Sequence, residues 1–331
     1  MAAILTVTIP FFALVLLGYL AGRQRLLPES AIPGLNAYVL YFALPCMLFR
    51  FGASMPFAEL IDARLVGLYI LCALLVVALT LALTWRRGQR SHGVDLKDAA
   101  FGALVAAFPN SGFMGLPLLV ALFGQAAAGP VMGTMLVDLF LTSTLCLGLA
   151  HAHAPRAQGA PQASAAMTIA RSLRAAATNP QPWGIALGAL AAATALQLPA
   201  PAAQVVKMLG DSASPVALFT IGTVLWRSGL HAHSRTPVRA YLPVALIKLL
   251  VHPLLVGGVG LIARAAGADV PAFGLMVMVL AAALPSASGV SLLAERHGAD
   301  NGRVARIIMA STVLAFGSFT LIAWGFGRSA G

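Results

Sequence analysis

The chain has 331 residues, of which 60% are hydrophobic and only 9% charged, against roughly 25% charged in soluble domains. That composition excludes a soluble enzyme and calls for a lipid solvent, in which a single helical domain of about ten spans absorbs the whole length. The formal net charge of +11 points to nucleic acid or anionic lipid only if the basic residues cluster on one binding surface.

Ten apolar runs are long enough to cross about 30 Å of hydrocarbon at 1.5 Å per residue, once two runs containing helix breakers are accepted. They are predicted at 3–22, 36–53, 64–85, 99–123, 130–150, 179–197, 205–226, 239–263, 270–295 and 305–326. No Lys or Arg precedes the first run, so the basic region of a signal peptide is missing and a retained span is expected. Cys46, Cys72 and Cys146 all fall in apolar runs without paired spacing, and neither disulfides nor zinc are expected.

The fourth run contains Phe108-Pro-Asn-Ser-Gly-Phe-Met-Gly-Leu-Pro117. Pro109, Gly112, Gly115 and Pro117 forbid a regular helix there, because proline removes a backbone donor and glycine weakens the turn. Backbone groups freed at this depth are tolerated only inside protein or beside a water-filled cavity. The fifth run carries Asp138. After it, 151–178 is rich in Ala, Pro and Gln and reads as a cytoplasmic linker between the units 1–150 and 179–331, with a short interfacial helix at 167–177. The seventh run carries Asp211, and the eighth carries Lys248 and His252, which are four apart and share a helix face. The ninth run repeats the interruption of the fourth at Leu284-Pro-Ser-Ala-Ser-Gly-Val-Ser291, with Pro285 and Gly289 as its breakers.

Fifteen of the 21 Lys and Arg lie in loops after odd-numbered spans, and only Arg64, Lys207, Arg264 and Arg328 lie opposite. The positive-inside rule then puts both termini outside, and the basic excess is topological. No nucleic-acid partner is expected. Arg50, near the outer end of the second span, reads as an interfacial anchor.

A shift of 170 residues places Pro10 on Pro180, Gly18 on Gly188, Pro45 on Pro215 and Gly52 on Gly222, and with a small further shift Pro109 falls on Pro285. Each unit holds five spans, an odd number, so the second copy enters the membrane from the opposite side. The expected fold is all-α: ten transmembrane helices in two inverted repeats, with the fourth and ninth broken.

Paired interruptions at equivalent positions mark a binding site. Two half-helices start after Pro109 and Pro285, and their free N–H groups and positive dipole ends favour an anion. Asn110, Ser111, Gly112, Ser286, Ser288 and Ser291 are the candidate ligands, able to orient a carboxylate without a second buried charge. The plainer reading makes the prolines packing kinks and bonds the serines to carbonyls one turn back. Asp138, Asp211, Lys248 and His252 are candidates for proton or sodium coupling, since ionised groups within spans are costly and face a cavity or a partner. An ion pair such as Asp211 with Lys248 is the structural alternative. His151-Ala-His153 and His231-Ala-His233 lack neighbouring carboxylate or cysteine ligands, so no metal site is expected. Neither a Walker A loop nor a G-x-S-x-G elbow occurs.

The stretch Phe108 to Leu119 resembles the fourth-span signature of the auxin efflux carrier family, which includes plant auxin exporters and bacterial malonate or malate permeases. Asn36 to Phe49, Thr178-Asn-Pro180, Leu209 to Gly222 and Ala282 to Gly298 are similar to family segments in the same order. The resemblance implies crossing fourth and ninth spans, elevator-like transport, and a substrate carboxylate at Asn110. It also implies a bacterial inner-membrane location. The serines after Pro285 and the short linker depart from the plant pattern, which puts auxin itself in doubt.

The expected function is a secondary transporter of a small organic anion in the lipid bilayer, without a cofactor apart from coupling to H+ or Na+, and with a homodimer left open. The rivals are a sodium-coupled symporter of the bile-acid transporter type, an intramembrane enzyme, and a non-transporting scaffold.

Overall fold

The computed structural model describes residues 2–56, 60–88, 94–152, 170, 173–174, 177–230 and 236–329. Among the described residues no strand forms. The helices are α1 (Ala2–Arg23), α2 (Ala31–Ala53), α3 (Ala63–Gly88), α4 (Leu96–Ala107), α5 (Ser111–Phe123) and α6 (Gln125–His151), then α7 (Pro180–Ala193), α8 (Ala200–Leu230), α9 (Val238–Ala265), α10 (Ala272–Ala282), α11 (Gly289–Arg296) and α12 (Asn301–Ser329).

Seven of them, α1, α2, α3, α6, α8, α9 and α12, are long and apolar enough to cross a membrane. They fall on the first, second, third, fifth, seventh, eighth and tenth predicted spans. The fourth is split into α4 and α5, and the ninth into α10 and α11. The sixth is α7, whose 14 residues reach about 21 Å at 1.5 Å per residue. It starts sharply because Asn179 accepts the Gln181 N–H at 3.0 Å while Pro180 takes the first helical position. The predicted linker and its interfacial helix lie mostly outside the described residues, as do His153, His231 and His233.

Proline shapes several helices without ending them. Pi turns at Val39–Ala43, Ser111–Gly115 and Ile247–Val251 each close two residues before a proline, Pro45, Pro117 and Pro253. A widened turn absorbs the missing N–H and the ring clash that would otherwise break the helix. A fourth pi turn, Asp138–Thr142, has no proline; there the Ser143 hydroxyl donates to the Asp138 carbonyl at 2.8 Å.

The helices sort into two groups. In one, α1 packs on α8, and α2 packs on α7 and α8. Glycines make these contacts close: a side chain on Gly18 would strike the Phe219 carbonyl, and one on Gly222 would strike that of Val15. One on Gly188 would meet the Phe49 carbonyl and the backbone of Gly52. Backbones that approach this closely gain dispersion contact, which drives helix association in lipid. In the other group α4 packs on α3 and α6, and α10 on α9 and α6. There α4 is buried from Ala99 through Ala107, and most of α10 is buried as well, so the ends of both broken helices are enclosed by protein, as free backbone groups at this depth require.

Candidate functional site

Phe108 leaves the helix for an extended conformation (φ −95°, ψ 97°) because the ring of Pro109 disfavours the α region at the preceding residue. Asn110 then turns tightly (φ −77°, ψ 56°), an inverse γ-turn geometry, and the Ser111 N–H donates to the Pro109 carbonyl at 2.8 Å. The second interruption runs antiparallel to the first, with Pro109 bridged to Ser286. The Asn110 N–H donates to the Pro285 carbonyl at 2.8 Å, and the Ala287 N–H donates to the Phe108 carbonyl at 3.0 Å. Two broken helices thus repair each other's backbone at their crossing. The Ser286 N–H goes elsewhere, to the Ser311 hydroxyl of α12 at 3.2 Å.

Side chains around this crossing are only partly spent. Asn110 is 5% exposed, and its side chain makes no hydrogen bond among the described residues. The hydroxyls of Ser111 and Ser286 are buried and likewise without a partner. Leaving these two buried hydroxyls unsatisfied costs about 1–3 kcal/mol each. The other candidate ligands are placed differently. Ser291 donates to Asn301 at 2.6 Å, tying α11 to α12. Ser288 occupies the N-cap position of α11 without a capping bond. Gly112 has ordinary contact room beside Leu44 and Met135, whereas Gly115 admits no side chain without displacing Leu284. Gly289 faces open space, Pro285 is buried in the crossing, and Pro117 enters α5 directly after its pi turn.

The ionisable candidates separate into two places. Asp138, Lys248 and His252 are fully buried together with Tyr69. Asp138 accepts the Tyr69 hydroxyl at 3.0 Å and the Thr142 hydroxyl at 3.1 Å. Lys248 donates to the Ala282 carbonyl at 2.7 Å and lies 3.2 Å from Nδ1 of His252. The sequence carried no sign of Tyr69, Thr142, Ala282 or Ser311, because each enters through tertiary packing rather than spacing along one helix.

Asp211 belongs to neither the crossing nor this cluster, and the suggested pair with Lys248 does not form. It joins Arg50 at 2.5 Å and Lys207 at 2.7 Å, with both carboxylate oxygens engaged. All three line a cavity of about 770 Å³ together with Phe49, Pro117 and Val120. Arg50 is therefore a cavity residue with a carboxylate partner, beyond the anchor expected of it. The cavity lies between α2 and α8 of the first helix group and α5, which packs on α6 of the second as well as on α1 and α8, and Asn110, Ser111 and Ser286 do not line it.

Residues 3–323 match the family model described as membrane transport protein. The chain is 29% identical over 323 residues to the "Putative malonate transporter" of Rhizobium meliloti (strain 1021), covering 97% of this chain and 95% of that protein. It is 26% identical over 317 residues to the "Uncharacterized transporter YfdV" of Escherichia coli (strain K12), covering 93% and 92%. It is 27% identical over 148 residues to "Auxin efflux carrier component 7" of Arabidopsis thaliana, covering 44% of this chain and 23% of the plant protein.

Proposed function

We propose, from the premise that this chain belongs to the membrane transport protein family and is a membrane transporter, that it is a secondary carrier of a small organic anion, a mono- or dicarboxylate, bound where its broken helices cross. The observation that carries the reading is the unspent polar set at the crossing: the Asn110 side chain and the buried hydroxyls of Ser111 and Ser286. A carboxylate accepts from an amide N–H and from hydroxyls without bringing a second protein charge into the membrane. The starts of α5 and α11 add their positive dipole ends beside it. The relative named for malonate, a dicarboxylate, agrees with this chemistry.

The reading includes ten crossings in two inverted five-span units, with α4 and α5 forming one, α10 and α11 another, and α7 the short sixth. Two relations support it. The contact of Gly18 with Gly222 becomes that of Gly188 with Gly52 when each first-half residue is advanced by 170 and each second-half residue moved back by as much. In the crossing, the bond from Asn110 to Pro285 becomes that from Ala287 to Phe108 under an exchange of 177 residues. The unit of α1, α2, α7 and α8 serves as scaffold, and the group holding the crossing moves against it. The cavity between the groups supports this elevator-like scheme, with both termini outside a bacterial inner membrane, as the distribution of Lys and Arg favours.

The test is malonate flux in proteoliposomes. Asn110→Ala is expected to abolish it while the purified protein keeps its elution profile and helical circular dichroism; undiminished flux would remove Asn110 from the site.

A further inference from the structure

The carboxylate site uses none of the ionisable groups buried beside it, and their arrangement is costly. Lys248, His252, Asp138 and Tyr69 are all fully buried. Each buried ion costs several kcal/mol unless a partner compensates it. Yet Asp138 and Lys248 form no ion pair among the described residues: the carboxylate is taken by two hydroxyls and the amine by a carbonyl. Nε2 of His252 has no partner either. A device for stability would pair these charges. Here α3 supplies Tyr69 and Cys72, α6 supplies Asp138, Thr142 and Cys146, and α9 supplies the two nitrogen bases, 3.2 Å apart.

The acceptor of the amine makes the cluster relevant to transport. Ala282 is the last residue of α10, so its carbonyl sits at the negative end of that helix. Three residues further on, the Pro285 carbonyl receives the N–H of Asn110. A protonated Lys248 holds the end of α10 by a charge-assisted bond; a neutral amine holds it by a weaker one. Proton occupancy therefore bears on the extended segment that follows α10 into the crossing. Coupling of this kind is reciprocal, so whatever proton loading does to anion affinity at the crossing, a bound anion does to the cluster's affinity for a proton. Sodium fits poorly, because hard cations take several oxygen ligands, whereas the oxygens here, those of Asp138, Tyr69, Thr142 and Ala282, already bond to one another or to the Lys248 amine.

We infer that Lys248 and His252 form a proton-binding pair, loaded together with the carboxylate at the crossing, which makes transport proton-coupled. One N–H bond forms as a proton from the water on one side adds to a lone pair of the couple, and one breaks when that proton leaves to the other side. Asp138, held by Tyr69 and Thr142, supplies the counter-charge. The inference rests on the anion-carrier reading.

The experiment measures labelled malonate in proteoliposomes, as net uptake under an imposed pH gradient and as exchange at equal pH. Wild type is expected to take up malonate several-fold faster when the outside is acidic, with no response to a sodium gradient. Lys248→Met is expected to lose the pH response while retaining a reduced exchange, since the end of α10 loses its bond, and His252→Gln, which serves if Lys248→Met does not fold, is expected to lose the pH response as well. Uptake that ignores the pH gradient, follows sodium, or keeps its pH response in the folded variants overturns the proton pair and leaves the carrier reading intact. Absence of both uptake and exchange in wild type overturns the carrier reading, and this inference with it.

Discussion

Gly18 of α1 stands against Gly222 of α8 so closely that the Gly18 carbonyl carbon lies 2.9 Å from where a Gly222 side chain would begin. The obstacle is backbone and cannot rotate away. Gly222→Ala and Gly18→Ala are therefore expected to destabilise the protein by about 1–3 kcal/mol, the usual cost of overpacking. Gly148→Ala and Gly317→Ala, whose added methyl groups meet nothing within 4 Å, serve as controls. Thermal unfolding in detergent, followed by size exclusion, checks the contrast.

Ser311 of α12 is the hydrogen-bond acceptor for the Ser286 N–H inside the crossing. Removing its hydroxyl leaves a buried backbone donor unpaired, at about 1–3 kcal/mol. Ser311→Ala is expected to lower the unfolding temperature and slow malonate flux. Neighbouring Thr312→Ser keeps a hydroxyl bonded to the Ile308 carbonyl at 2.7 Å in the parent protein and is expected to change neither.

Seven of the spans were legible because lipid imposes one rule on every residue, and a long apolar run such as 64–85 reappears as α3 with its ends shifted by a few residues. The breaks were legible because proline and glycine act locally. Their register was not. Which residues face each other across the two breaks is set by tertiary packing: the bridge puts Pro109 against Ser286, and Asn110 and Ala287 donate its bonds because proline has no N–H. Side-chain partners were least legible. Asp211 looked like a buried charge because it lies in an apolar run, yet the run borders a cavity there and the carboxylate finds Arg50, 161 residues away in sequence.

Arg50, Lys207 and Asp211 carry two positive charges and one negative into the cavity. The pairs are half exposed, and exposed pairs contribute only about 0–1 kcal/mol to stability. Arg50→Ala is thus expected to leave the unfolding temperature nearly unchanged while raising the KM for malonate, with the difference shrinking at high salt as screening grows. Asp211→Asn is expected to lower KM. Initial rates at two ionic strengths check both.

Asp62 precedes α3 and accepts the backbone N–H groups of Arg64 at 2.9 Å and Leu65 at 3.4 Å. The Arg64 side chain, bonded to the same carboxyl, holds its pKa below the ordinary 3.8 despite some burial, and Arg64 also reaches Asp269. A depressed folded pKa contributes stability that is complete above the ordinary value and is lost as pH falls through the folded one. Asp62→Ala is expected to cost about 1 kcal/mol near neutral pH, as loss of a helix cap does. That cost is expected to disappear in strong acid. Unfolding of both proteins across the acid range checks the sign.

The central claim is that an organic anion binds beside Asn110, where the two broken helices share their backbone bonds. Thermal stabilisation by malonate tests it most directly, because a ligand that binds only the folded protein raises its apparent stability. Wild type is expected to unfold at a higher temperature with malonate present. Asn110→Asp, which sets a carboxylate where the anion sits, is expected to unfold at the same temperature with and without it. An equal malonate shift in both proteins would contradict the account.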